Sequence, residues 1–188
     1  MSRISSKTLT DLEFKEVCRH IQEYCVTSLG QDKALTIKPF DSHHKAITEL
    51  KQVAEYKSSD LEDKSIPRHG FDDISSDLKR LSIEGSILEE ASFVKFKDIS
   101  ETANQLIKFF KKNNHLYPNL HNKFSKLYFT PDIIISIENV INKFGEVKDD
   151  ASENLAVIRQ EIQVTRSKIG SSFSKALGQY QSSGYLAD

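Results

Sequence analysis

The sequence lacks an excess of charge of either sign. Its 188 residues carry 26 Lys and Arg against 27 Asp and Glu, which leaves a formal net charge of -1. A chain with this balance has no overall field that would draw it to nucleic acid or to an anionic membrane. Any basic surface must therefore be local.

Cysteine is also scarce, with only Cys18 and Cys25 in the chain. The two lie seven residues apart in a helical pattern, which separates them by about 10 Å along one helix face. That distance is too long for a disulfide. We interpret both as reduced core residues rather than as a metal or redox site.

Long apolar runs are absent as well. No segment is apolar over the length needed to span a bilayer, and the first residues, MSRISSKTLTDLEF, contain no apolar stretch of the kind found in signal peptides. With 38% hydrophobic and 28% charged residues, the composition is that of a globular protein that can bury a core without disulfides. These features predict a cytoplasmic protein without a membrane partner.

What the sequence does contain is helical periodicity, because apolar residues recur at intervals of three and four along most of the chain. This pattern predicts an all-α fold. The predicted elements are a first helix from a capping box at Thr10–Glu13 to Leu29, closed by Gly30, a helix through Ala46–Ala54, a loop over Ser58–Arg68, a long helix through Val94–Phe110, and short helices around Ile74–Leu81 and Leu120–Leu127.

Two more helices are predicted toward the C-terminus. Thr130-Pro131 supplies an N-cap with proline at the first helical position, and an apolar stripe then runs to Phe144 before Gly145. Asp150 and Glu153 have the spacing of a capping box. The acidic run in GEVKDDASE is therefore explained by a helix start, where the macrodipole favours carboxylates, rather than by a catalytic or metal site, since no His or Cys lies nearby.

The last predicted helix has a heptad-like register over Ala151–Tyr180, about 45 Å at the usual rise per residue. That length exceeds what a compact domain of this size needs. We therefore predict a helical core domain over residues 1–148 and a projecting, lever-like and coiled-coil-like helix over residues 149–188. Its apolar seam predicts weak self-association as an antiparallel pair, through Leu155, Ile158, Ile162 and Ile169.

One local basic stretch stands out, because no acidic residue occurs between Glu101 and Asp132. Its lysines alternate with His115, Tyr117, His121 and Tyr128. Such a stretch can contact phosphates without sequence preference and stack on unpaired bases, although a solvated face has the same composition. Two arginines seven residues apart on the last helix can lie along a DNA backbone or pair with acids. The candidate DNA contacts are Lys108, Lys111, Lys112, Lys123, Lys126, Arg159 and Arg166.

A phosphate-binding loop of the form G-x-x-x-x-G-K-[ST] is missing. The most similar segment, GSSFSK at residues 170–175, lacks the second glycine. It also lies within the pattern of the last predicted helix, so it cannot form the nest of amides that holds phosphate. We predict that this chain has no catalytic residues, no metal site and no cofactor of its own.

Several motifs occur in a familiar order. The segment from Gly145 to Ile162 has the pattern Gly-Glu-Val-x-Asp-x-Ala-Ser-x-x-Leu-x-x-Ile-Arg-x-x-Ile. Other motifs precede it: Leu12-Glu-Phe14, YCVTSLG at residues 24–30, Lys38-Pro39, GFDDI at residues 70–74, and Leu78-Lys-Arg80 followed by Gly85 and Leu88. From about Leu9 to Asp188, the chain resembles the N-terminal region of the bacterial type-two MutS family, the MutS paralogues that lack the mismatch-recognition domain.

The resemblance implies a non-catalytic core and lever part of a larger DNA-binding ATPase. The remainder would carry the ATPase, to which ATP and Mg²⁺ belong, the main dimer contact and, in many members, a nuclease domain. The expected role is to couple nucleotide state to the grip of a clamp on distorted DNA, in mismatch repair, recombination control or on stalled ribosomes. The expected partners are DNA, bound weakly and non-specifically, and the other domains of the parent protein. The alternative is a free-standing helical module that binds a partner protein.

Overall fold

The structure, a computed structural model, describes residues 4–59 and 65–184, and within them the fold is all-α, as predicted. The described residues contain no strand, and their only β-type pairing is an isolated antiparallel bridge between Ile141 and Val147. The helices are α1 (Ser6–Asp11), α2 (Phe14–Glu23), α3 (Ser28–Leu35), α4 (His43–Ser59), α5 (Ser75–Leu81), α6 (Glu90–Lys112), α7 (Pro118–Phe124), α8 (Pro131–Val140) and α9 (Glu153–Ser182).

The chain divides into two compact units, and the division falls between Ile137 and Glu138. In the first unit, α2 packs against α1 and α3, and α7 packs against α4 and α6. The second unit contains the end of α8, the turn that follows it, and α9. The domain boundary between residues 148 and 149 stays a prediction.

The core of the first unit is an aromatic cluster where α6 meets α7. Phe110 is 2% exposed and Tyr117 is 1% exposed. The Phe110 ring stacks on Phe124 with centroids 4.5 Å apart, and it meets the edge of Tyr117 at 6.0 Å. Leu106 and Leu120 complete the cluster. Such aromatic pairs add to the free energy gained by burying apolar area, so this cluster holds the two helices together.

The single first helix predicted up to Leu29 is wrong, because α2 ends at Glu23 and α3 begins at Ser28. Glu13 has a left-handed backbone with φ of 50° and separates α1 from α2. The predicted capping box is absent there, because the Thr10 hydroxyl donates to the Ser6 carbonyl instead. Of the two cysteines, both free, Cys18 is buried in α2 and Cys25 is half-buried after it.

Gly30 lies inside α3 and does not end a helix. The side chain of Thr27 caps α3 by accepting from the Gly30 backbone N–H at 3.0 Å. A Cβ on residue 30 would approach Thr27 Oγ1 to 3.0 Å and the Cys25 Cβ to 3.4 Å. The glycine is therefore explained by close approach at a helix start rather than by a helix break.

The predictions for the middle of the chain are confirmed in outline, since α4, α5, α6 and α7 all occur where the periodicity places them. The predicted loop begins two residues too early, because α4 continues through Ser58 and Ser59. Residues 60–64 of that loop lie outside the described residues, and residues 65–74 are non-helical.

The stripe predicted to run to Phe144 ends early, because α8 stops at Val140. The Asn142 side chain accepts from the backbone N–H groups of Phe144 at 2.8 Å and Glu146 at 3.1 Å. An asparagine that binds nearby amides in this way offers the backbone an alternative to helix. The chain therefore turns back at Gly145, whose φ is +84°.

The N-cap of α9 is Ser152 rather than the predicted Asp150. The Ser152 hydroxyl accepts from the Leu155 backbone N–H at 3.2 Å, and Glu153 lies in the first turn. Serine is among the preferred N-cap residues. The acidic run thus leads into a helix, as predicted, but only Glu153 of the run lies in the first turn and the cap is shifted by two residues.

Candidate nucleic-acid interface

The lysine-rich stretch folds into the end of α6, helix α7 and the turn after it. Five lysines there are exposed, and among the residues that the structure describes four of the five are in no ion pair. We call this set the α6–α7 lysine surface: Lys108, Lys111, Lys112 and Lys126.

Two contacts attach the segment after α7 to α6. The Thr130 backbone N–H donates to Asn104 Oδ1 at 2.9 Å, and Asn104 itself is buried in α6. One turn further along α6, Lys108 Nζ lies 5.0 Å from the centre of the Phe129 ring, within the range of a cation–π contact. The contacts bring the segment that carries Lys126 to the same helix as Lys108.

Exposed aromatic rings accompany these lysines. Tyr128 is 87% exposed, and Phe129 is 46% exposed beside Lys108. Proteins that bind single-stranded nucleic acid combine basic side chains with exposed aromatic rings, since the charges contact phosphates and the rings stack on bases. Tyr117 does not belong to this set. Considering it as a stacking residue was wrong, because it is buried in the core.

Lys123 is a predicted DNA contact that the structure places next to an acid. Its Nζ lies 3.5 Å from Glu49 Oε2 and donates to Gln52 Oε1 at 2.9 Å, both on α4. The local sequence pattern does not indicate these partners, because they lie more than 70 residues away along the chain. Part of the charge of Lys123 is therefore compensated within the protein.

The N-terminus of α7 is occupied by a carboxylate from α4. Glu55 Oε1 accepts from the backbone N–H of Asn119 at 2.9 Å and from its side-chain amide at 2.5 Å, and Glu55 Oε2 accepts from the Leu120 N–H at 2.9 Å. A helix N-terminus otherwise attracts anions. Because Glu55 fills this position, the N-terminus of α7 is not available to a phosphate.

The two candidate arginines on α9 differ in their surroundings. Arg159 Nη1 donates to the Val147 carbonyl at 3.1 Å and also pairs with the Asp149 carboxylate. These contacts attach the turn before α9 to the helix and give Arg159 a structural role. Arg166 is exposed on the same helix.

The predicted seam on α9 is accessible to solvent. Ile158, Ile162 and Ile169 are exposed and Leu155 is partly buried. Successive residues of a helix turn by 100°, which also places Phe173 near this face, a residue that the sequence analysis did not include. The seam is therefore a longer apolar stripe than predicted.

The segment GSSFSK at residues 170–175 lies within α9, as predicted. Its backbone amides are committed to a helix rather than to a phosphate nest. Within residues 4–59 and 65–184, no three His, Cys, Asp or Glu side chains are grouped so that they could hold a metal ion. None of the described helices is both long and apolar enough to cross a membrane.

A charged cleft and an apolar cleft open on the first unit. One, of about 570 Å³, has charged walls of both signs, with Arg68 and Lys95 against Asp72, Asp98 and Glu101. Its mixed charges favour neither an anion nor a cation. The other, of about 520 Å³, is apolar and is lined by core residues such as Leu106, Phe110 and Leu120, so it is the open margin of the core cluster.

Proteins named Endonuclease MutS2 align with almost the whole chain. The one from Alkaliphilus oremlandii (strain OhILAs) is 27% identical over 190 positions, and the one from Geobacillus sp. (strain WCH70) is 28% identical over 189. A protein named Putative endonuclease MutS2 from Bacillus subtilis (strain 168) is 27% identical over 188 positions. No protein-family model matches the chain.

The alignments cover 97% to 98% of this chain but 24% of each relative, so the chain spans about a quarter of the length of the curated relatives it matches. They support the predicted relationship to the MutS2 family. The assignment to a core and lever region stays a prediction.

Proposed function

We propose that this chain is a non-catalytic helical module of a MutS2-type DNA-processing protein, and that it contacts the DNA backbone through the α6–α7 lysine surface. The observation that carries the proposal is that four exposed lysines without ion pairs occur on the end of α6 and the segment after α7, where Lys108 contacts the exposed Phe129 ring and Tyr128 is also exposed. The endonuclease names of the relatives support a DNA substrate for a protein of this kind.

The expected binding is weak and independent of sequence. Four lysines would release about three counterions, which corresponds to a slope of about -3 for the logarithm of the binding constant against the logarithm of salt concentration. Tyr128 adds stacking, which is available only where bases are unpaired. We therefore propose a preference for single-stranded or distorted DNA over regular duplex.

The chemistry would lie outside this chain. We propose that the helices couple the nucleotide state of an ATPase elsewhere in the parent protein to its hold on DNA, as the resemblance implies. Calorimetric titration of the chain with Mg-ATP should show no saturable heat. A stoichiometric site of micromolar affinity would contradict the proposal.

The DNA contact is tested by charge reversal. Replacing Lys108, Lys111, Lys112 and Lys126 by Glu should abolish binding to a fluorescent single strand at low salt, measured by anisotropy. The matched control replaces four exposed lysines elsewhere with the same change of net charge: Lys15, Lys33, Lys38 and Lys79.

The control should retain most of the binding, because a local surface rather than total charge is proposed. Equal losses in both variants would show that the binding reflects net charge only. Retention by the first variant would show that the α6–α7 lysine surface is simply solvated. Lys123→Glu alone should have a smaller effect than Lys126→Glu, since Glu49 and Gln52 already engage Lys123.

A second candidate function is supported by α9. None of the 30 residues of this helix is buried, although its stripe is apolar, and exposed apolar stripes commonly mark interaction sites. We propose that the chain self-associates weakly through residues 155–177. Light scattering across a dilution series should show a concentration-dependent dimer.

The control for self-association compares two faces of α9. Ile162 and Val164 are both 46% exposed, yet they differ by about 200° around the helix axis. Ile162→Lys should abolish the dimer and Val164→Lys should leave it. A monomer at every concentration, or equal effects of the two variants, would exclude the seam as the interface.

A further inference from the structure

Charge is segregated along the second unit. Residues 146–161 hold five acidic and two basic side chains, whereas residues 162–182 hold three basic and no acidic side chains. The acidic group consists of Glu146, Asp149, Asp150, Glu153 and Glu161, and the basic group consists of Arg166, Lys168 and Lys175. One half of the helix and its entry turn are therefore negative, and the other half is positive.

The apolar stripe of α9 lies beside the surface that the preceding turn contacts. Ile158, Ile162 and Ile169 fall within about 40° of one another around α9, whereas Ala156 and Gln160 lie on another side of the helix. The latter two line a small cleft with Asp149 and Arg159. The turn before α9 thus contacts the helix at Arg159, on the flank of the stripe rather than over Ile158, Ile162 and Ile169.

From this charge pattern we infer that a second copy of the chain covers the stripe, with the two α9 helices antiparallel and in one defined register. The inference rests on the self-association proposed above. A parallel pair would bring the two acidic ends together and the two basic ends together, whereas an antiparallel pair opposes each acidic half with a basic half.

The flanking charges select one register, and this register keeps an apolar layer. When Ile162 lies opposite Thr165 of the second copy, Ile158 lies opposite Ile169, and the two-fold axis repeats each layer. The residues that flank the layers then place Glu161 beside Lys168 of the second copy. At the edge of the pair, Glu153 approaches Lys175.

Neighbouring registers are electrostatically worse. A shift of one heptad in one direction places Lys168 beside Lys168 of the second copy. A shift in the other direction places Glu161 beside Glu161 of the second copy. Like charges at such positions are destabilising. Both shifts lose the layer that joins Ile158 to Ile169, but the shift that brings the two Glu161 side chains together forms a layer of Ile158 and Ile162 instead, so the charges decide between the registers.

The ion pair within the chain removes one obstacle to this register. On the other flank Arg159 faces Arg166 of the second copy, which taken alone is repulsive. Asp149 pairs with Arg159 within its own chain. A carboxylate therefore lies next to each approach of Arg159 to Arg166 and reduces the repulsion. The turn before α9 thus contributes to the interface through the charge that it holds on Arg159.

A charge exchange on the full chain tests the register. Glu161→Lys and Lys168→Glu should each raise the dimer dissociation constant about tenfold at low salt, since two symmetric contacts change from attraction to repulsion. The double variant should restore it to within about threefold of the parent value, because opposite charges again face each other. Sedimentation equilibrium gives the constants, and far-UV circular dichroism checks that each variant is folded.

The outcomes separate the two proposals. If Ile162→Lys does not weaken association, the proposed seam is wrong. If Ile162→Lys does weaken association but the double variant stays as weak as the single variants, the seam stands and the register is wrong. A parallel pair gives a different pattern: Glu161 would face Arg166 of the second copy and Lys168 would face Phe173, so Glu161→Lys alone would weaken association and Lys168→Glu would neither weaken nor restore it.

Discussion

Helices α6 and α9 come from the same kind of sequence pattern but have different surroundings. Both are long helices with apolar residues at intervals of three and four. In α6, six of 23 residues are buried, whereas in α9 none of 30 is buried. A periodic stripe therefore specifies a helix and a face, but it does not specify whether that face is covered.

The difference has an identifiable cause in the neighbours of each helix. Phe110 and Leu106 of α6 meet Tyr117 and Leu120, which follow closely in the chain. In α9, Arg159 near the start of the helix makes the hydrogen bond and the ion pair with the preceding turn. Substitutions in α6 and its partners should therefore cost more free energy of unfolding than substitutions on the stripe of α9.

The largest expected effect is on the core cluster. Phe110→Ala removes a ring that is 2% exposed and contacts Phe109, Tyr117 and Phe124. It should lower the free energy of unfolding in urea by about 3 to 5 kcal/mol.

The control is Ile169→Ala on α9, which is 64% exposed and should cost less than about 0.5 kcal/mol in dilute solution. Phe110→Leu, a milder change, should fall between the two if Phe110→Ala does not fold. Equal losses at residues 110 and 169 would remove the distinction between the helices.

A smaller effect is expected at the start of α7. Glu55→Gln keeps one acceptor oxygen but removes the charge that holds three N–H groups of Asn119 and Leu120. It should lower the free energy of unfolding by about 1 to 2 kcal/mol. Glu49→Gln, which affects only the surface pair with Lys123, should cost less than about 0.5 kcal/mol. The reverse order would contradict the assignment of Glu55 as the α7 cap.

The next effect concerns the start of α9. Ser152→Ala removes the hydroxyl that accepts from the Leu155 N–H, and it should destabilise the first turn by about 1 kcal/mol. Hydrogen exchange at the Leu155 amide should accelerate accordingly. Asp150→Ala is the comparison, with an expected change within about 0.5 kcal/mol. A larger effect at residue 150 would restore the cap predicted from the sequence.

The smallest effect is a shift of one carboxyl titration. Hydrogen bonds from the side chain and the backbone N–H of Ser75 lower the pKa of Asp73 from its ordinary value. A lowered pKa in the folded state contributes stability above the ordinary pKa, and that stability is lost as the pH falls through the lowered one. NMR titration should show that Ser75→Ala raises the pKa of Asp73, while Ser76→Ala leaves it unchanged. An unchanged pKa in Ser75→Ala would exclude the proposed cause.

The sequence predicted most of the helices because their signals are local. Periodicity located α4 to α7, and the phrase GSSFSK was correctly assigned to a helix. The errors lie where a single side chain competes with helix formation, as at Asn142, or where a rare backbone conformation occurs, as at Glu13. Neither interrupts an apolar pattern, so the pattern alone could not locate them.

The composition of the candidate interface could be predicted only in part without the fold. The sequence by itself determined the lysine-rich stretch and the apolar stripe of α9, because composition and helical spacing are properties of neighbouring residues. Only the tertiary structure decided which side chains remain available, since burial and ion pairing depend on distant residues. It buried Tyr117, paired Lys123 with Glu49, and paired Arg159 with Asp149. It also left Lys126 and Tyr128 exposed beside α6, because Asn104 and Lys108 hold the segment that carries them.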